Sequence, residues 1–190
     1  LREMKISAGR GPLLRVNTIL MRDNIGAFEQ LCETVAAWGI EELTFNALGG
    51  RDRPEFFPEH SLRLEDVEWF RESLPGIRAR LREKGLRLLG SARYLERIAA
   101  SARGISIPVY DCQPGQSFLF VNERGLVSPC GFTTQGYGLS LKDICAPDDL
   151  HQLPVRFAER KRNQMLACCH DCPSTQVFGK FEGTAPNFNR

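Results

Sequence analysis

Five of the seven cysteines lie in two segments whose spacing suits them to hold a metal centre. Two of them are the first and last residues of the stretch CQPGQSFLFVNERGLVSPC, at positions 112 and 130, and three lie in CCHDC, at positions 168, 169 and 172. Cys169 and Cys172 form a C-x-x-C pair, a spacing that presents two sulfurs to one centre. A hairpin that turns at Gly125 would bring the first two cysteines together. We therefore expect a four-thiolate site formed by Cys112, Cys130, Cys169 and Cys172.

The number of ligands leaves the identity of the metal open. Four thiolates suit a tetrahedral Zn²⁺ ion and an iron–sulfur cubane equally well. Zinc ribbons usually use two C-x-x-C knuckles, whereas this sequence has one, and the difference favours a cluster. Adjacent cysteines point in different directions, so only one of Cys168 and Cys169 is expected to bind the same centre. The two-residue spacing to Cys172 favours Cys169.

The remaining candidate ligands are interpreted as structural. Cys32 falls on the apolar face of a predicted helix, where a thiol packs as a small hydrophobic residue. Cys145 is expected to be a partly buried structural thiol, and His170 an exposed loop residue. An odd number of cysteines in a mixed helix and strand pattern disfavours a disulfide framework.

The composition is that of an ordinary soluble globular chain. Of the 190 residues, 42% are hydrophobic and 25% are charged, and the net charge is +2. So small a charge gives no electrostatic reason to expect nucleic acid or a membrane surface as a partner. No apolar run approaches the ~20 residues that span a bilayer. We expect a cytoplasmic protein.

The first half of the sequence alternates strands and helices, which indicates an α/β fold with parallel βαβ units. Strands are predicted at residues 14–21, 42–48 and 86–90, the first buried on both faces. Three such units correspond to half of a closed barrel, and we assign them to a domain spanning residues 1–104. Residues 105–190 form a second domain, with the hairpin and a basic helix that begins at Pro154.

Several motifs resemble those of radical S-adenosylmethionine enzymes. The pattern Cys112-x12-Gly125-x4-Cys130 is similar to the opening motif of their SPASM and twitch domains, which follow a partial (β/α)6 barrel. FLFVNERGLVSPCGF looks like the hairpin of those domains, YGLSLKDI like the segment before the final helix, and CHDCP like the closing cysteine pair. RVNTILMRDN and ELTFNAL resemble the fifth and sixth barrel strands.

The sequence departs from that family in two respects. The C-x-x-x-C-x-x-C loop, which binds the cluster that cleaves S-adenosylmethionine, does not occur in these 190 residues. We expect the chain to be part of a longer enzyme that supplies this loop and the earlier strands. The cysteines after Cys130 are also too few for the two clusters of a SPASM domain, so the one-cluster twitch form fits better.

The resemblance implies a mechanism and a set of partners. A reduced [4Fe–4S] cluster outside this sequence would cleave S-adenosylmethionine to a 5′-deoxyadenosyl radical, which abstracts a hydrogen atom from the substrate. The auxiliary [4Fe–4S] cluster on the four cysteines would transfer electrons or position substrate. The substrate is expected to be a peptide or small natural-product precursor, and the reductant a flavodoxin or ferredoxin. Asn17 and Asn46 are candidates to bind the ribose or adenine, while no catalytic residue is assigned.

Two other functions compete with this interpretation. Four thiolates could bind a structural zinc ion in a non-catalytic module, or the chain could be an iron–sulfur electron carrier. A large α/β layer ahead of the cysteines is unnecessary in a simple carrier.

Overall fold

The computed structural model describes residues 13–49 and 55–182. These residues divide into two compact units. The first contains the described residues up to Ile105 together with residues 178–182, and the second spans Ser106–Val177. Across the described part of the chain, no helix combines the length and the apolar character needed to cross a membrane.

A three-stranded parallel sheet forms the centre of the first unit. Its strands are β1 (Arg15–Leu20), β2 (Glu42–Ala47) and β3 (Arg87–Leu88), in the order β1-β2-β3. β1 pairs with β2 and β2 with β3, both in parallel. This confirms the α/β class and the parallel connection that the strand and helix alternation predicted.

The prediction that the first strand is buried on both faces is wrong. Exposed and half-buried side chains alternate along β1, and only Leu20 is fully buried. β2 is instead the buried strand, from Glu42 to Phe45. The physical reason is position, because β1 lies at one edge of the described sheet whereas β2 has a neighbour on each side.

The described part of the first unit also contains α-helices. They are α1 (Phe28–Ala37), α2 (Phe57–His60), α3 (Leu64–Glu83) and α4 (Ala92–Ala102). Apolar residues recur three and four apart along α3 and are buried: Val67, Phe70, Leu74, Ile77 and Leu81. Pro75 lies on the exposed side of one continuous helix. Ser91 caps α4, since its Oγ accepts a hydrogen bond from the Tyr94 amide.

Aromatic rings fix α1, α3 and α4 to the sheet. Phe45 of β2 meets Phe70 of α3 edge to face with ring centroids 5.1 Å apart, and Phe28 of α1 meets Phe70 in the same way at 5.1 Å. Tyr94 of α4 stacks on Phe45 at 5.6 Å. Each such pair contributes about 0.5–1.5 kcal/mol beyond the burial of its area.

The second unit contains a small antiparallel sheet and three helices. Its strands are β4 (Phe120–Val121), β5 (Leu126–Ser128) and β6 (Leu139–Ser140). The predicted hairpin connects β4 and β5, with Gly125 at φ +70°. The Asn122 carboxamide closes this turn by accepting hydrogen bonds from the amides of Arg124 and Leu126.

The helices are α5 (Thr134–Tyr137), α6 (Pro147–Asn163) and α7 (Ala167–His170). The prediction that the basic helix begins at Pro154 is wrong, because α6 begins two turns earlier. Pro147 occupies its first turn, and the Asp149 carboxylate accepts hydrogen bonds from the amides of Cys145 and Ala146, both at 2.9 Å. A proline and a carboxylate in the first turn are the usual signals of a helix start.

Candidate metal centre

Backbone pairing brings the first cysteine segment to the last one. The Cys172 amide donates to the Ile107 carbonyl at 3.1 Å, and the Val109 amide donates to the Cys169 carbonyl at 3.1 Å. The Asp171 carboxylate adds a hydrogen bond from the Ile107 amide at 3.2 Å. Residues 107–109 therefore run beside residues 169–172, which places Cys112, three residues further on, close to the C-x-x-C pair.

A tight turn after β5 positions Cys130. Its carbonyl accepts hydrogen bonds from the Ser128 hydroxyl at 2.9 Å and from the Thr133 amide at 3.2 Å. The Thr133 hydroxyl lies 3.3 Å from Cys130 Sγ. The hairpin end is thus held by its own polar side chains, with the sulfur beside a hydroxyl that can donate to a thiolate.

All five cysteines of the two segments line one cavity of about 100 Å³ within the second unit. A single water molecule needs about 10–15 Å³ of such space, so this cavity has room for a group larger than one water or one ion. Much of the remaining wall is apolar, formed by Pro114, Phe118, Pro129, Phe132 and Val177. The donor set and the space both fit an iron–sulfur cluster bound by thiolates.

The thiols of this cavity act on one another electrostatically. The pKa of Cys172 is raised, first by burial and then by the neighbouring thiolates of Cys130, Cys112 and Cys169. Burial, followed by Cys169 and Cys130, raises the pKa of Cys168 to about 11. Ionising several of these groups together is therefore unfavourable, and a bound cationic centre would stabilise them as thiolates.

The predicted ligands Cys112, Cys130, Cys169 and Cys172 are brought together, and so is Cys168. The Cys168 thiol points toward the Phe132 carbonyl, at 3.5 Å. Over residues 13–49 and 55–182, no three Cys, His, Asp or Glu side chains are grouped as the ligands of a single metal ion.

Cys32 and Cys145 do not line this cavity. Cys32 is buried in α1, as its apolar spacing predicted, and its pKa is raised to about 12 by burial. The prediction that Cys145 is partly buried is wrong, because this thiol is exposed. It follows the β6 strand in the turn before α6, where it donates only to the Lys142 carbonyl at 3.2 Å.

A buried lysine at the cavity was missed by sequence reasoning. Lys161 of α6 is 8% exposed, and its Nζ donates to Cys112 Sγ at 3.2 Å and to the Val109 carbonyl at 2.9 Å. The basic run that contains it indicated a solvent-facing surface. The spacing in the sequence could have shown that Lys161 is buried, since Leu153, Phe157 and Lys161 recur every four residues on the buried face of the helix.

Tyr137 holds the connection between the basic helix and the terminal cysteines. Its hydroxyl donates to the Gln164 carbonyl at 2.8 Å and accepts from the Leu166 amide at 3.2 Å. Burial raises the pKa of this phenol, so it stays a neutral hydrogen-bonding group. Its ring packs in the core of the second unit with Phe157 and Cys169.

Asn17 and Asn46 lie on neighbouring strands of the first unit. Asn17 Oδ1 accepts hydrogen bonds from Lys180 Nζ at 2.7 Å and Thr44 Oγ1 at 3.0 Å. Asn46 Oδ1 lies 3.2 Å from the Tyr94 hydroxyl. Lys180 is a second buried lysine that the sequence did not single out, and burial lowers its pKa. Both amide oxygens therefore have protein partners.

Comparisons of the chain with family models, curated proteins and solved structures gave no match.

Proposed function

We propose that the second unit binds an auxiliary [4Fe–4S] cluster through Cys112, Cys130, Cys169 and Cys172. The observation that carries this proposal is the convergence of these side chains, from three separate segments, on one largely apolar cavity of about 100 Å³. Four cysteine thiolates are the usual ligand set of such a cluster. When bound, the cluster would supply one-electron chemistry.

We further propose that this unit serves a radical S-adenosylmethionine enzyme. The motif resemblance supports the class, and the parallel sheet of the first unit is compatible with part of a (β/α)6 barrel. Asn17 and Asn46 would present amide nitrogens toward S-adenosylmethionine while protein groups hold their oxygens. The substrate would be a peptide or small precursor, and a flavodoxin or ferredoxin would deliver electrons.

Anaerobic purification and reconstitution with iron and sulfide test the cluster. We expect about four irons and four sulfides per chain, as a [4Fe–4S] centre requires, with an S = 1/2 EPR signal after reduction. Replacing any of the four ligands by alanine should abolish or convert the cluster. The matched control is Cys145→Ala, which removes an exposed thiol outside the cavity.

Metal analysis distinguishes the zinc module from the cluster, whereas an iron–sulfur electron carrier would have the same iron and sulfide content. Stoichiometric zinc that excludes iron would replace the cluster proposal with the structural zinc module. Equal loss of cluster in the control variant would show that the thiols do not form a defined site. The enzyme class is tested separately, by reducing the enzyme that contains this chain in the presence of S-adenosylmethionine. Methionine and 5′-deoxyadenosine must appear as products if the class is right.

A further inference from the structure

One charged side chain touches the cavity from the helix side. Lys161 is almost completely buried, yet its ammonium lies 3.2 Å from Cys112 Sγ. A buried ammonium loses its hydration, so hydrogen-bonding groups around it must offset the free-energy cost of burial and hold it in position. Its second partner, the Val109 carbonyl at 2.9 Å, is neutral. The sulfur is therefore the contact in which the lysine charge matters most.

Packing of α6 leaves the ammonium little freedom to move away. Phe157 and Leu153, one and two turns before Lys161 on the same face, are fully buried. Phe157 also lies directly against the loop that follows Cys112, because a Cβ added at Gly115 would come within 2.7 Å of its ring. The helix and the ligand loop are thus packed together, with the lysine between them.

We propose that Lys161 raises the reduction potential of the auxiliary cluster through its hydrogen bond to Cys112. This inference rests on the proposed function. An external one-electron donor converts [4Fe–4S]²⁺ to [4Fe–4S]¹⁺, with no covalent bond broken and the lysine proton retained. Reduction adds one negative charge, and a fixed cation at a ligand sulfur stabilises the reduced form more than the oxidised form. Hydrogen bonds to the sulfurs and net charge are established determinants of such potentials.

The structure also contains a neutral counterpart at a second ligand. The Thr133 hydroxyl lies 3.3 Å from Cys130 Sγ, a similar distance to that of the lysine from Cys112, although it also donates to the Cys130 carbonyl at 3.1 Å. A charged donor interacts about twice as strongly with a thiolate as a neutral donor does. Removing the lysine charge must therefore shift the potential more than removing the threonine hydroxyl.

The test is a potentiometric titration of the reconstituted 190-residue chain, followed by EPR. In Lys161→Met, which keeps an unbranched apolar side chain without the charge, the equilibrium constant for one-electron reduction should fall about tenfold. For a one-electron couple this is a drop of about 59 mV in midpoint potential. Lys161→Arg should restore most of the shift, and Thr133→Val should lower the potential less. The matched control, Lys142→Met, removes the same charge from an exposed position and should titrate as the wild type.

Each outcome separates this inference from the proposed function. A wild-type chain that binds no cluster overturns both. A cluster whose potential is the same in wild type, Lys161→Met and Lys161→Arg overturns only the role of the lysine.

If the lysine variants fail to retain the cluster, the wild type decides the question. Pulsed EPR of reduced protein labelled with ¹⁵N-lysine must show coupling between the cluster spin and one nitrogen, and its absence refutes the contact. The coupling must persist in the Lys142→Met control.

Discussion

Tyr137→Phe tests how the terminal cysteines are positioned, because it removes one oxygen atom that bridges two parts of the second unit. The hydroxyl connects the Gln164 carbonyl, just after α6, to the Leu166 amide, just before α7. The ring is 2% exposed and stays in the core in the variant. The substitution therefore removes two hydrogen bonds without creating a large cavity.

The magnitude follows from these two contacts. Each hydrogen bond contributes about 0.5–1.5 kcal/mol, which gives about 1–3 kcal/mol for the pair. Gln164 is exposed, so water can solvate its carbonyl once the phenol is gone, and the lower half of this range applies. We expect a loss of about 1–2 kcal/mol, which changes an opening equilibrium about 5- to 30-fold.

Hydrogen exchange of the metal-free chain measures this change directly. Peptides covering residues 134–172 should exchange about 5- to 30-fold faster in Tyr137→Phe, while peptides of the first unit should not change. Tyr110→Phe is the matched control, because Tyr110 is 73% exposed and lies in the same unit. Equal exchange in both variants would refute the bridging role of the Tyr137 hydroxyl.

Three further predictions concern the core, the helix start and the thiols. Phe45→Ala should lower the free energy of unfolding by about 3–5 kcal/mol in urea titrations followed by tryptophan fluorescence, whereas half-exposed Phe56→Ala should cost less than 1.5 kcal/mol. Hydrogen bonds from the Ala146 and Cys145 amides hold the pKa of Asp149 below its ordinary 3.8. Its stabilisation of α6 is therefore present above pH 3.8 and lost as the pH falls below it. NMR measurements of hydrogen exchange should show that these two amides lose protection as the pH falls, and Asp149→Asn should abolish this pH dependence. Alkylation of the metal-free chain should modify exposed Cys145 long before Cys32, whose pKa of about 12 keeps it protonated, and equal rates would contradict the burial.

The sequence predicted those features that depend on local spacing. Helical periodicity in α3 identified its buried face, because residues three and four apart share one side of a helix. Gly125 predicted the hairpin, since its turn requires a positive φ. The C-x-x-C spacing and the hairpin predicted that Cys112, Cys130, Cys169 and Cys172 bind one centre; all four line the same cavity, but so does Cys168, and the choice among the five stays a prediction.

Features that depend on neighbours in space were not predicted correctly. β1 has the composition of a buried strand but lies at an edge of the described sheet, and no sequence pattern distinguishes these positions. As a charged residue, Glu42 would be expected at the surface, but it is fully buried on β2, where Arg15 and Arg87 both donate to its carboxylate. Pro147 and Pro154 are equally good helix starts by type, and the carboxylate of Asp149 favours the earlier one.

By itself, the sequence determined the thiol chemistry available to this protein and the local geometry of the turn and the knuckle that present it. Tertiary structure alone decided what surrounds those thiols. Residues 107–109 reach the C-x-x-C pair through backbone hydrogen bonds between residues 60 to 65 positions apart, together with the Asp171 carboxylate. Packing of the same segments also buries Lys161, which the sequence alone would place in solvent, and brings its charge to Cys112. Side-chain identity fixes which charges exist, but the dielectric and the partners that give those charges their effect arise only when distant segments pack together.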